Sequence, residues 1–239
     1  MEIHRPRPSH DLRDVASEIA VIVVGILIAL GLEQAVDAYH ARERTQIARA
    51  AIEDEIRFSL AKAKAITDMQ ECSERQLVRL SEAIGKGDQA QVRRRLSASQ
   101  LPRAFTWSDS AWQTALASNV SDRFSEQERR NYSILYGLVL IIQAQQEAYS
   151  GSDLRLRAIA SSGLSESPAA ESSELAEMAG LTATLRKLEE LTQAYQQAGK
   201  DLMGLEASAN YVNILPFGDQ PGKCRAAAAA LDLPPAAKR

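Results

Sequence analysis

Histidine is the first shortage. The chain has three, His4, His10 and His40, all close to its N-terminus. The rest of its length therefore has no imidazole for a catalytic triad, a metal site or general-base work near neutral pH. Cysteine is scarcer still. Cys72 and Cys224 are too far apart to form a Cys-x-x-Cys redox or zinc motif. Aromatic residues make up 5% of the 239 residues, so the few present, Trp107 and Trp112 among them, stand out as anchors. No glycine-rich nucleotide fingerprint occurs. Gly85-Lys86-Gly87 lacks both the earlier glycine and the hydroxyl after the lysine that a phosphate loop requires. The net charge is −3 with acids and bases interspersed, which leaves no basic stripe for nucleic acid. Arg93, Arg94 and Arg95 point in three directions on a helix and read as a solvated face, with an anionic-lipid contact as the alternative. The acid pairs Asp54/Glu55 and Glu189/Glu190 diverge as neighbours on helices and also read as solvated faces. The sequence thus points to a non-enzyme, with no catalytic residue, metal site or cofactor expected.

What is present favours helix. Ala and Leu are the commonest residues and Arg, Glu and Gln are frequent, and such side chains lose little rotamer freedom in a helix. The organising stretch is Ile19 to Leu32, IAVIVVGILIALGL, fourteen residues without a charge. As a helix it covers roughly 21 Å, short of the ~30 Å hydrocarbon layer. Three readings compete. A signal peptide would use Arg5, Arg7 and Arg13, but Asp11, Asp14 and Glu18 interrupt that region and no small-x-small cleavage site follows Leu32 closely. A buried core helix is the second. The third, and leading one, is a membrane helix over about residues 15–36, with Glu18 and Glu33 at the interfaces. The run is apolar around its whole circumference and has no polar face for water. Arginines flank it evenly, Arg5, Arg7 and Arg13 before and Arg42, Arg44 and Arg49 after, so charge does not set its orientation.

The segment SEIAVIVVGILIALGLEQAVDAYHARE (Ser17 to Glu43) resembles the N-terminal signature of a family of small bacterial single-pass membrane proteins of unknown function. There an acidic residue precedes an Ile/Val/Leu/Gly run, and a polar helix follows. FTWSDSAWQTALASNVSDRFSEQERRNYSILY (Phe105 to Tyr136) is similar to that family's later region, where an aromatic and a Trp lead a short helix. The resemblance implies a topology and no activity.

From Glu33 to about Ile84 there is no proline and no glycine. Ile52, Ile56, Leu60, Ala63, Ile66, Leu77, Leu80 and Ile84 recur at helical spacing. One long helix is the simplest reading, and a break near Thr67–Cys72, where the stripe is poorest, is the alternative. Gly85-Lys86-Gly87 ends it, and Asp88 caps a short helix from Gln89 to Ser97. Ser108 or Ser110 caps a helix bearing Trp112. Ser125 and Glu128 form a capping box for a helix from Glu126 to about Tyr149. Its run from Ile134 to Ile142 is too short to span a bilayer and should make it the most buried helix. A Ser/Gly-rich connection is expected over 150–168. A final helix opens at Ser167-Pro168 and carries Leu175, Met178, Thr182, Leu185, Leu188, Tyr195 and Leu202 along its seam. The chain is therefore all-α: a tail and helix start (1–14), a transmembrane helix (15–36) continuing into a long helix of a three- to four-helix bundle (37–213), and an irregular tail (214–239).

The expected function is a membrane-anchored interaction protein. Its partners would be the lipid bilayer and other membrane subunits or a second copy, with no nucleic acid. Gly25 and Ala29 offer a small-x-x-x-small face for close helix packing. Cys72 and Cys224 either form a disulfide, which would place the bundle in the periplasm beyond an inner membrane, or are two free thiols. Trp107, Trp112 and Tyr136 are either core anchors or the platform of a ligand-binding sensor bundle.

Overall fold

Apolar spacing and the absence of Pro dictate the first element, α1, Leu12–Thr67. The computed structural model describes residues 12–98, 101, 105–162, 168–207, 211, 222 and 226. Among these the chain is all helical: α1, α2 (Gln70–Gly85), α3 (Gln89–Ala98), α4 (Ser110–Ala117), a 3-10 turn (Val120–Arg123), α5 (Glu126–Ser162) and α6 (Pro168–Met203), with no strand. Two compact units divide it, Met1–Ala48 and Arg49–Arg239. The first is the apolar half of α1, and the second is the bundle. Ser167 and most of the expected tail, 214–239 apart from Gly222 and Ala226, lie outside the described residues.

In the bundle, Ile52, Ile56, Leu60, Ala63 and Ile66 of α1 are fully buried, as their spacing requires. The single helix to Ile84 does not form. The chain turns at Asp68 and Met69, and α2 starts at Gln70. Lys64 ion-pairs with Asp68 at 2.8 Å, while Met69 is buried beside Cys72. This is where the apolar stripe is thinnest, so burying Met69 outweighs continuing the helix. Gly87, with φ +64°, closes α2. Its N–H reaches the Ile84 carbonyl and the Asp88 N–H reaches that of Ala83, a paired C-cap that only a left-handed residue permits. The Asp88 carboxylate then accepts from the Gln91 N–H and starts α3.

Helix α5 opens with the expected reciprocal box. The Ser125 N–H donates to Glu128 and the Glu128 N–H to the Ser125 hydroxyl. It then passes Tyr149 and reaches Ser162, so much of the expected connection is helix. Tertiary contacts override the weak propensity of Ser150, Gly151 and Ser152. Leu156 is buried, Arg155 reaches Glu177 of α6, and Arg157 binds Asp153 and the Leu96 carbonyl. The run from Ile134 to Ile142 is also less buried than expected. Leu135, Val139 and Ile142 face the core, whereas Ile134, Leu140 and Ile141 are exposed.

Of the expected α6 seam, Met178, Leu185, Leu188 and Tyr195 are buried. Gly199 brings α6 against α1, because a Cβ there would lie 2.9 Å from Cδ2 of the fully buried Leu60. Gly199→Val should therefore overpack this contact and cost about 2 kcal/mol, read as a lower melting temperature. An unchanged melting temperature would show that α1 and α6 yield freely there.

Candidate functional site: an exposed apolar span and a docked tryptophan segment

The Ile19–Leu32 stretch lies on one helix, and every Ile, Val and Leu in it is exposed, from 47% at Val23 to 73% at Val21. Within the helix over Ala16–Thr67, the most apolar window has a mean hydropathy of 2.4 and none of it is buried. The buried-core reading fails on that observation. The helix is long and apolar enough to cross a membrane. Nothing lies within 4 Å of a Cβ built on Gly25, and Ala29 is exposed, so their face is open.

The second feature is the Phe105–Trp112 segment, held by side chains from two helices. Glu55 on α1 is its hub. Its carboxylate accepts from the Ser108 hydroxyl at 2.7 Å, the Ser110 hydroxyl at 2.8 Å, the Ala111 N–H at 3.3 Å and the Tyr136 hydroxyl at 2.8 Å. The first turn of α4 is thus capped by a carboxylate from another helix. Asp109, at the N-cap position, makes no side-chain cap. Burial opposes charge on Glu55, but the hydrogen bonds from Ser108, Ser110, Tyr136 and Ala111 outweigh it and hold the carboxyl below its ordinary range. Two turns of α1 further on, Lys62 donates to the Thr106 carbonyl at 2.5 Å and sits 4.2 Å from the Phe58 ring centroid. Desolvation pulls its ammonium down to about 8, against the attraction of Glu55. From α5, Gln146 accepts from the Phe105 N–H and the Trp107 indole N–H, both at 3.0 Å, and donates to the Phe105 carbonyl at 2.6 Å.

The two tryptophans do not share a platform. Trp107 meets Tyr195 edge-on, with centroids 6.4 Å apart. Trp112 stacks on Tyr136 at 6.1 Å with 7° between planes and leans on Tyr132 at 5.7 Å. Trp107, Trp112 and Tyr136 are all buried. They fill the core, with the Trp107 indole N–H spent on Gln146 and the Tyr136 hydroxyl on Glu55. A groove of about 390 Å³ opens elsewhere, lined by Lys64, Thr67, Gln193, Gln196, Gln197 and Lys200 among others.

Sequence reasoning missed Glu55, Lys62, Gln146 and Glu189. The two acids were read as solvated because adjacent helical residues diverge. They do diverge, and that same divergence turns one member of each pair inward: Glu190 is exposed, whereas Glu189 is 1% exposed. The alternation of apolar neighbours around each acid could have indicated which.

Cys72 is buried on α2, and its sulfur is in a disulfide. Cys224, the other cysteine of the sequence, lies outside the described residues. If these two are bonded, reduction should lower the melting temperature, by up to ~4–5 kcal/mol of stability for so long a loop, and Cys72→Ser should reproduce the effect. A melting temperature indifferent to reductant would remove the staple. Among the described residues no His, Cys, Asp and Glu group could hold a metal. Compared with protein-family models, curated proteins and solved structures, the chain matches none.

Proposed function

We propose that the protein is a single-pass membrane protein whose apolar helix anchors a helical interaction domain, an accessory or structural subunit of a membrane complex or a self-assembling one, without catalysis. The observation that carries this reading is the circumferential exposure of Ile19–Leu32. A helix with no polar face is stable where lipid replaces water. The bundle supports a structural role, because its polar side chains around Trp107 and Trp112 are used to dock one segment of the chain on two helices. The resemblance of Ser17 to Glu43 to bacterial single-pass proteins points the same way. The disulfide at Cys72 favours an oxidising compartment, hence an inner-membrane anchor with the bundle in the periplasm. The partners are the bilayer and other membrane subunits or a second copy, with Gly25 and Ala29 as the face where helices approach.

Solubilisation of native membranes in mild detergent, followed by purification of the chain, tests the reading. A defined co-purifying subunit or a homo-oligomer is expected, and it should be lost in Gly25→Leu/Ala29→Leu. A solitary monomer contradicts it. The groove beside Lys64 and Lys200 favours a second reading, a ligand-binding bundle acting through a partner. A melting-temperature shift with small polar metabolites would favour that instead.

A further inference from the structure

Glu189 is a buried acid that the docked segment does not explain. It lies on α6 with 1% of its surface exposed, and neither carboxylate oxygen has a hydrogen-bond partner. A buried carboxylate left that way is costly while charged, because the interior returns none of its lost hydration. Its place in the bundle is set by α2. The side chains of Gln193 and Gln70 bond at 3.0 Å, and Arg186 reaches Glu74 at 3.7 Å. These contacts run the two helices antiparallel and bring Ser73 to the level of Glu189. The Ser73 hydroxyl is fully buried and also unpartnered.

The charges around Glu189 do not compensate it. From α2, Glu74 repels the charged form, and its own helix offers Arg186, whose guanidinium is engaged with Glu74. From α5 comes the buried Tyr149 hydroxyl, which Asp153, Arg157 and Glu189 all influence. The neighbouring Lys187 is turned to Glu190 at 3.0 Å, where both are exposed. Desolvation first and Glu74 second lift the Glu189 carboxyl from an ordinary 4.5 to about 7, with Arg186 opposing.

We propose that the α2–α6 seam is a proton-dependent latch, closed while Glu189 is neutral and loosened when it ionises. With the carboxyl protonated, the seam holds a neutral acid at the level of the buried Ser73. Loss of the proton leaves an anion facing Glu74, and opening the seam hydrates it. The folded value lies above the unfolded one, so the closed state is fully stabilised below about 4.5 and loses that stabilisation as pH rises through about 7. Conditions on either side of neutrality would then set how firmly α2, the helix that carries Cys72, is held.

Amide hydrogen exchange of the full chain in detergent micelles tests this, with rates at pH 6 and pH 8 corrected for the intrinsic base-catalysed rate. In the wild type, protection over α2 and the facing part of α6 should fall about tenfold between the two. Glu189→Gln and Glu189→Leu should hold protection constant, and Glu74→Gln should shrink the fall. Equal protection at both pH values in the wild type overturns the latch, as does an undiminished fall in either Glu189 variant.

Discussion

Val24→Arg/Ile28→Arg should move the chain from the carbonate-washed membrane pellet to the soluble or aggregated fraction. The run contains ten Ile, Val and Leu residues, and at ~0.3–0.6 kcal/mol each they favour insertion by roughly 3–6 kcal/mol. Two arginines near the middle of the span oppose it by roughly 5–7 kcal/mol and also remove two of the apolar side chains. The balance changes sign. Both side chains are exposed, so the loss acts on insertion and not on the packing of the bundle. Val24→Leu/Ile28→Leu is the matched control and should stay in the pellet. If the double arginine variant also stays there, the bundle and not the span holds the chain to the membrane.

Glu55→Ala is expected to destabilise the bundle markedly. It strands the Ser108, Ser110 and Tyr136 hydroxyls and the Ala111 N–H together. Tyr136 is buried and cannot recover its bond from water. The two serines are partly exposed and can, so the loss is nearer about 2–3 kcal/mol than four full hydrogen bonds. It should appear as a lower melting temperature with Trp112 fluorescence changing in step, because the capped turn carries that ring. Glu55→Gln keeps one acceptor oxygen and should lose less. The carboxyl is held below its ordinary value, so its stabilisation is present above the usual carboxylate range and fades as pH falls through the folded value. Wild type should therefore lose part of its advantage over Glu55→Gln in acid. Equal stability of Glu55→Ala and wild type would mean that the segment is held by its tryptophans, Lys62 and Gln146 without Glu55.

The helices were legible where a period or a cap stated them. Ile52 to Ile66 announced the buried face of α1, Ser125 and Glu128 the start of α5, and Gly87 the end of α2. The misread places have a common cause: distant partners decided them. Met69 could turn the chain because burial rewards it, and Gly151 stayed helical because Leu156 and Arg155 tie that end of α5 to its neighbours. The exposed side chains at Ile134, Leu140 and Ile141 were unreadable for a related reason, since a continuous apolar run does not say which face meets the core. Of the site, the exposed apolar run was plain from composition, and the tryptophans were picked out by rarity. Glu55 and Gln146 were hidden, because a helical acid or amide looks solvated until the segment that it captures is known.

The central claim is that Ile19–Leu32 remains on the chain as a membrane span. The intact mass of the protein recovered from carbonate-washed native membranes tests it most directly. The account predicts a pelleted chain near the full 26.1 kDa, with the apolar run present. A soluble chain shortened beyond Leu32 would contradict it, because the run would then be a cleaved leader.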